Sequence, residues 1–244
     1  MSVLVSVLTA CAYLGALAQG FWVHSLVKHY NYESNPILAT ALVDMYYKCG
    51  RMELASSVFE AMTYKDTGAW NAIISGFAMN GDAMKSVQFF DRMIASGNQP
   101  NETIFVAVLS ACSHAKMVDE GLLLFGRMDS VYGVEPRFEH RACVVYLLAR
   151  AGKLEDAEKF IEENMGGIEK GDANVWGGLL GACRVYGDRI WRKLSNMKVL
   201  TYLHTICTRK LVGKWKPMDI GNEIKIDSSA ELFGSQVVAA NPMN

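Results

Sequence analysis

The amino-acid sequence repeats itself with a period of about 35 residues, and this periodicity limits the fold more than any other feature. Leu8-Thr9-Ala10-Cys11 recurs as Leu109-Ser110-Ala111-Cys112 and again as Leu180-Gly181-Ala182-Cys183. A unit of this size cannot bury an apolar face by itself, so neighbouring units must stack. Aligned with related apolar runs, these strings give units of 31 to 36 residues that start at Met1, Pro36, Thr67, Glu102, Phe138 and Ala173.

Each unit has the pattern of two helices joined by a tight turn. An apolar-periodic segment opens the unit, and a second, amphipathic segment follows it. In most units the first segment ends at a glycine, which suits the left-handed residue that terminates a helix. These glycines are Gly50, Gly81, Gly152 and Gly187. We therefore predict an all-α fold, an α-solenoid of stacked helix-turn-helix repeats with a concave groove.

The second segments carry an apolar stripe that we predict to be the core between hairpins. Its members fall on one helix face at a spacing close to 3.6 residues. They are Leu54, Val58, Phe59 and Met62 in one unit and Met84, Val87, Phe90 and Met93 in the next. Phe59, Phe90, Phe125 and Ile161 occupy the same place in their units.

Composition and motifs exclude several classes of function. The 244 residues carry a formal net charge of -1, which argues against a polybasic protein whose affinity for nucleic acid comes from counterion release. The six cysteines contain no CxxC pair, and we interpret them as reduced, structural thiols and not as metal ligands. No apolar run reaches the length of about 20 residues that a membrane span needs. The His-x-Glu of a zinc deaminase is also absent, as are a P-loop and a nucleophile elbow. We expect no enzyme activity, no cofactor, no membrane partner and no small-molecule substrate.

Several strings resemble the pentatricopeptide repeat family, in its plant variety that mixes units of different length. Ala41–Gly50 resembles the short motif of that family, and Ala69–Gly76 with Gly97–Asn101 resembles its standard motif. Phe105–His114, followed by Met117–Gly121, resembles the family's long motif. Leu147–Gly152 and Val175–Cys183 resemble the units that precede its C-terminal extension. The resemblance implies a right-handed superhelix.

The resemblance also implies how the chain divides. The expected repeats are 1–35 (long), 36–66 (short), 67–101 (standard), 102–137 (long) and 138–172 (short), followed by the start of a C-terminal extension unit at 173–188. Residues 189–244 form a divergent tail, whose first part, 189–216, carries eight Lys/Arg and no acid. A basic arm that touches phosphates is one interpretation. We favour the other, a sequence altered by truncation, an unspliced intron or a frame change.

In the pentatricopeptide family each repeat reads about one base of single-stranded RNA through two or three side chains. The resemblance places the main readers at the fifth and last residues of a unit. The resulting pairs are Val5 with Asn35, Thr40 with Asp66, Asn71 with Asn101, and Val106 with Arg137, and Ala142 holds the fifth place of the next unit. At the second place Ile37 fits an apolar contact that sandwiches the base.

Two of these pairs have side chains suited to a base edge. Thr40 and Asp66 can accept hydrogen bonds from the ring N–H and the amino group of a purine. The family's pairing rule favours guanine for this combination of side chains. Asn71 and Asn101 suit a pyrimidine. Units with Val5, Val106 or Ala142 at the fifth place are expected to discriminate weakly between bases, because these side chains offer no hydrogen bond. The alternative is that Asp66 and Asn101 serve only as helix N-caps.

The function implied by the resemblance is recognition of single-stranded organellar RNA during RNA processing or C-to-U editing. Editing or processing proteins are the expected protein partners. The compartment follows from the family resemblance, since no targeting peptide is visible in this chain. The mitochondrion is the first choice and the chloroplast the second. Two alternatives are a solenoid scaffold that binds protein through its concave face and a partial product with too few units to bind tightly.

Overall fold

The structure of the protein is a computed structural model that describes residues 2–165. These residues form ten α-helices and contain no β-strand. The helices are α1 (Ser2–Leu14), α2 (Leu17–His29), α3 (Pro36–Lys48), α4 (Met52–Ala61), α5 (Thr67–Met79), α6 (Ala83–Ala95), α7 (Glu102–Ala115), α8 (Val118–Arg127), α9 (Phe138–Arg150) and α10 (Leu154–Asn164). The predicted units at 173–188 and 189–244 lie outside the described residues.

Consecutive helices pair as five hairpins that stack in chain order. The first helices, α1, α3, α5, α7 and α9, pack side by side in one layer. Each second helix packs on its own first helix, and α2, α4, α6 and α8 also contact the first helix of the next hairpin. The predicted fold class, an all-α solenoid, is confirmed. Because the first helices share a layer, residues at the same place in successive units line one continuous face.

The turn inside each hairpin depends on a left-handed residue. Gly50, Gly81 and Gly152 have φ of 72°, 83° and 79°, as predicted, and Gly187 lies outside the described residues. In the α7–α8 turn the same place is held by Lys116, with φ of 58°. A residue with a Cβ costs about 1–2 kcal/mol in this conformation. The fourth hairpin therefore closes on a less favourable residue than its neighbours.

Aromatic side chains of the second helices join each hairpin to the next. Phe59 of α4 is fully buried, and its ring centroid lies 4.8 Å from that of Trp70 in α5. Phe90 of α6 is equally buried and lies 5.4 Å from Phe105 of α7. Edge-on aromatic pairs of this kind add about 0.5–1.5 kcal/mol beyond the burial of their area. The predicted core role of these two phenylalanines is confirmed.

The predicted apolar stripe was wrong at one residue. Met84 is 68% exposed, whereas Val87, Phe90 and Met93 on the same helix are buried. A strict spacing of three residues drifts by about 60° per step around a helix, so the fourth member of such a series faces away from the first. Ala83 and Ser86 complete the buried face instead, and Ser86 Oγ donates to the Ile74 carbonyl over 3.1 Å. Leu54, Val58 and Phe125 are only partly buried.

The described cysteines fit the predicted role of structural thiols. Cys11, Cys49, Cys112 and Cys143 are free and at least partly buried. Burial raises the pKa of Cys112 to about 12 and that of Cys143 to about 11. Both thiols are therefore protonated at neutral pH, and a thiol in that state is a poor nucleophile and metal ligand.

Candidate nucleic-acid interface

A groove on the layer of first helices gathers five of the predicted RNA-binding residues. It has a volume of about 470 Å³ and lies between α3 and α5, with a contribution from α1. Val5, Ile37, Thr40, Asp66 and Asn71 line it. The groove is therefore shared by the fifth residues of three successive units. Its wall also includes Asp44, Tyr47 and Ser75, which the sequence analysis did not single out.

The last residues of three units are N-caps of the helices that follow. Asp66 Oδ1 accepts from the Ala69 N–H over 2.8 Å, and Asn35 Oδ1 accepts from the Leu38 N–H over 3.0 Å. Asn101 Oδ1 accepts from the Ile104 N–H over 3.0 Å. The capping role considered in the sequence analysis is therefore real for Asp66 and Asn101. It uses one oxygen of each side chain and leaves the second Asp66 oxygen and the asparagine amino groups without a partner among residues 2–165.

The Thr40 hydroxyl has no hydrogen-bond partner in the described part of the chain. Thr40 is half-buried in α3, and its Oγ1 is screened from solvent. Leaving a buried hydroxyl unsatisfied costs about 1–3 kcal/mol, so Thr40 would gain from a hydrogen bond to a ligand or to water. Threonine in a helix populates two χ1 rotamers, so the hydroxyl can turn toward the groove at small cost.

The amide of Asn71 is oriented by its own helix. Ser75 lies one turn further along α5 and donates from Oγ to Asn71 Oδ1 over 3.4 Å. This contact uses one of the two lone pairs of the amide oxygen, and the NH₂ group has no partner among residues 2–165. Asn71 is half-buried beside the groove, so its NH₂ group is placed as a hydrogen-bond donor there.

The rest of the groove wall combines an apolar contact with a charged cluster. Ile37 is 64% exposed, which leaves it open to a planar ligand. Asp44 is paired with Lys48, whose Nζ lies 2.8 Å from the carboxylate and 5.0 Å from the centre of the exposed Tyr13 ring. Burial, together with the Asp44 charge, raises the pKa of Tyr47 well above its usual range.

Sequence reasoning missed these additional groove residues because it considered only three places in each unit. Asp44 and Ser75 lie four residues after Thr40 and Asn71, the spacing that puts two side chains on the same face of a helix. That spacing is visible in the sequence.

The fourth and fifth units provide few groups for hydrogen bonding to a base. Arg137 is held by Glu102 across an ion pair of 2.7 Å, and its backbone N–H donates to His140 Nδ1 over 3.0 Å. Val106 is half-buried, and Ala142 is 8% exposed. These residues lie on successive first helices or directly before one, but they do not line the groove between α3 and α5. Weak discrimination by these units remains a prediction.

The described residues contain no group of three or more histidine, cysteine, aspartate or glutamate side chains that could hold a metal ion. Likewise, no helix within residues 2–165 is long and apolar enough to span a membrane.

Comparison with known proteins places the repeat pattern in a family. The profile of the pentacotripeptide-repeat region of PRORP matches residues 69–215, and the profile of the PPR repeat matches residues 38–66. The chain belongs to the pentatricopeptide repeat family. The resemblance found in the sequence strings is thereby confirmed.

Individual pentatricopeptide proteins agree with this assignment. A pentatricopeptide repeat-containing protein of Arabidopsis thaliana is 45% identical over 186 residues, which is 76% of this chain and 33% of the relative. CRR2, a chloroplastic pentatricopeptide protein of the same plant, is 42% identical over 185 residues, 76% of this chain and 28% of the relative. The crystal structure of the pentatricopeptide protein PPR10 in complex with an 18-nt psaJ RNA element matches with a TM-score of 0.53 at 21% identity, covering 66% of this chain and 23% of PPR10. This likeness shows the fold.

The chain spans about a third of the length of the curated relatives it matches.

Proposed function

We propose that this chain binds single-stranded RNA along the layer of first helices and acts as a recognition factor in organellar RNA processing or C-to-U editing. The observation that carries the proposal is the groove between α3 and α5. It brings the unsatisfied Thr40 hydroxyl together with Asp66 and Asn71, the groups with which a pentatricopeptide repeat would read bases. In this proposal the chain binds RNA and any chemistry on the RNA belongs to a partner protein.

The unit at 36–66 is proposed to prefer guanine. The Asp66 oxygen that does not cap α5 can accept from the ring N–H or the amino group of guanine. Thr40 supplies a hydroxyl that has no partner among residues 2–165 and can form a hydrogen bond with the base. Ile37, exposed at the groove wall, offers an apolar surface against the face of the base.

The unit at 67–101 is proposed to prefer cytosine over uracil. The carbonyl oxygens of Asn71 and Asn101 already accept hydrogen bonds from Ser75 and from the Ile104 N–H, so both side chains present amino groups. Two donors match the adjacent N3 and O2 acceptors of cytosine. Uracil carries an N–H at ring position 3, which would oppose a donor. In the pentatricopeptide family the RNA runs 5′ to 3′ from the N- to the C-terminus of the protein, so the proposed core is a guanine followed by a cytosine.

The compartment is proposed from the relatives. CRR2 is chloroplastic by name, and this favours the plastid over the mitochondrion, the reverse of the order expected from the sequence alone. PPR10 is bound to an RNA element in its crystal structure, which supports RNA as the ligand class for a chain with this fold.

Binding of short RNAs tests the proposed function directly. An oligonucleotide with a central guanine-cytosine step in an otherwise uniform adenine context should bind about tenfold more tightly than one with the order reversed, since one good base contact contributes about 1–3 kcal/mol of discrimination. Fluorescence anisotropy at fixed salt measures this ratio. Equal affinity of the two RNAs for the folded chain would contradict the proposal and favour a protein-binding scaffold.

Removal of the Ser75 hydroxyl should weaken the choice between the two pyrimidines. In Ser75→Ala the Asn71 amide is free to turn its carbonyl oxygen toward the base, which lets it accept from uracil N3–H. We expect the ratio of affinities for cytosine and uracil at this base to fall about fivefold, in line with about 1 kcal/mol for one hydrogen bond. Ser25→Ala is the matched control, because Ser25 bonds only the Phe21 carbonyl of its own helix α2. An unchanged ratio in Ser75→Ala would show that Ser75 does not orient the Asn71 amide toward the base.

A further inference from the structure

His24 occupies a place at which the other described hairpins carry an apolar side chain. It lies nine residues after Gly15, the left-handed residue in the turn of the first hairpin, with φ of 64°. The first hairpin therefore has a polar ring where the later hairpins have core residues. Nine residues after the left-handed residue of the next four turns stand Phe59, Phe90, Phe125 and Ile161.

The residue opposite His24 in the next unit is small. At the fourth place of the units 67–101 and 102–137, Trp70 and Phe105 pack against the phenylalanine of the preceding hairpin. The fourth place of the unit 36–66 is Ala39. A cavity of about 280 Å³ lies there, with His24 and Ala39 in its wall. An alanine thus leaves open the space that an aromatic ring takes in the two later interfaces.

This cavity is separate from the proposed RNA groove. It is formed by α2, α3 and α4 and by the segment that follows α4. None of the residues that line it lines the groove between α3 and α5. A ligand in the cavity would therefore leave that groove unoccupied.

The ring of His24 has one free hydrogen-bonding atom. Its Nδ1 lies 2.6 Å from the hydroxyl of Tyr46, which is fully buried and has no other partner among residues 2–165. Burial, and next the charge of Lys28, lowers the pKa of His24, so the ring is neutral at pH 7 and carries a single N–H. A hydrogen on Nδ1 would leave the buried Tyr46 hydroxyl without an acceptor. Tyr46 therefore donates to Nδ1, and Nε2 carries the free N–H.

The cavity combines an apolar interior with polar groups at its edge. Leu42 and Met62 are buried and form part of its wall. Lys28 lies one turn after His24 on α2, is exposed, and forms no ion pair within residues 2–165. Glu33 is the one acidic residue among those that line the cavity. A flat apolar group fits this interior, and Lys28 with the His24 Nε2–H can hold an anion at the edge.

We propose that the cavity binds a small aromatic acid, whose ring takes the place of a large side chain at residue 39 and whose carboxylate accepts from His24 and Lys28. The ring would lie against His24 as the Trp70 ring lies against Phe59, with centroids 4.8 Å apart and planes at 69°. Rings attract one another in such edge-on arrangements. The volume suits one bicyclic ring, since a cavity of about 150 Å³ accommodates benzene.

Calorimetric titration of the whole chain with indole-3-propionate tests the proposal. This compound joins a ring like that of the Trp70 side chain to a carboxylate. We expect a dissociation constant of about 1 mM or lower, in keeping with the modest free energy per atom that ligands gain. Ala39→Trp fills the cavity with an indole of the chain itself and should weaken binding at least tenfold. Ala18→Trp, at an exposed place on α2, is the matched control and should leave the affinity unchanged.

Two further variants keep the test valid if Ala39→Trp fails to fold. Ser57 is exposed and lines the cavity, so Ser57→Phe obstructs it without a change in the core and should also weaken binding at least tenfold. Lys28→Gln should weaken binding of indole-3-propionate about fivefold and leave that of indole, which has no carboxylate, as it was. Lys153→Gln, at an exposed lysine just before α10, is the control for this change.

Three results would overturn the proposal. One is the absence of binding at millimolar indole-3-propionate while the chain keeps its helical circular-dichroism signal. Another is unchanged affinity in folded Ser57→Phe. The third is an equal effect of Lys28→Gln on both probes, which would show that the lysine does not hold the carboxylate. Because neither probe is RNA and the cavity is separate from the RNA groove, these outcomes leave the proposed RNA binding to its own tests.

Discussion

Replacement of Thr40 by asparagine is expected to change the preferred base at the unit 36–66 from guanine to uracil. The longer amide occupies space that a purine needs, and its NH₂ group can donate to a uracil carbonyl. The free oxygen of Asp66 can accept a hydrogen bond from uracil N3–H. The ring N3 of cytosine carries no hydrogen and cannot donate this bond. We expect the ratio of affinities for guanine and uracil at this base to fall at least tenfold, measured by fluorescence anisotropy with four RNAs that differ only there.

Thr63→Asn is the matched control for this substitution. Thr63 is exposed and lines a separate cavity formed by α2, α3 and α4, so the same chemical change there should leave the base profile as it was. If Thr40→Asn folds normally and retains its preference for guanine, the repeat register proposed for this groove is wrong.

Removal of the Phe90 ring is expected to destabilise the folded chain strongly. Phe90 is fully buried between α6 and α7, where it contacts Phe105 and lies 5.8 Å from the Tyr132 ring. Phe90→Ala should lower the free energy of unfolding by about 3–5 kcal/mol, the usual cost of a large cavity in a core. Urea denaturation followed by the helical circular-dichroism signal measures this change.

Met84→Ala on the same helix is the control for Phe90→Ala. The Met84 side chain is 68% exposed, so its truncation should change the free energy of unfolding by less than about 0.5 kcal/mol. A loss as large as that of Phe90→Ala would mean that the buried face of α6 includes Met84, as the regular spacing of its apolar residues first indicated.

The hairpins could be predicted from the sequence because their determinants are local. Apolar spacing specifies the buried face of each helix, and a glycine such as Gly50 specifies where the first helix ends. The exposure of Met84 and the turn at Lys116 could not be predicted in this way. Three-residue spacing cannot tell which of two neighbouring faces is buried, and the left-handed turn in the fourth hairpin uses a lysine that carries no glycine signal.

The candidate site was only partly predictable because its chemistry depends on neighbouring groups. The sequence brings Thr40, Asp66 and Asn71 to one groove, since equal places in stacked units share a face. It does not reveal which atom of Asn71 or Asn101 remains free. In the structure Ser75 Oγ donates to Asn71 Oδ1 and the Ile104 N–H donates to Asn101 Oδ1, and on these two contacts we propose cytosine instead of any pyrimidine.

The most direct test of the central claim is selection of random single-stranded RNA on the purified chain, followed by sequencing. We expect enrichment of guanine followed by cytosine at adjacent positions, with weak preference at the flanking bases. We also expect uracil to replace guanine when the selection is repeated with Thr40→Asn. Flat enrichment on a chain that retains its helical content would contradict RNA reading by this groove, and a search for a protein that binds the layer of first helices would follow.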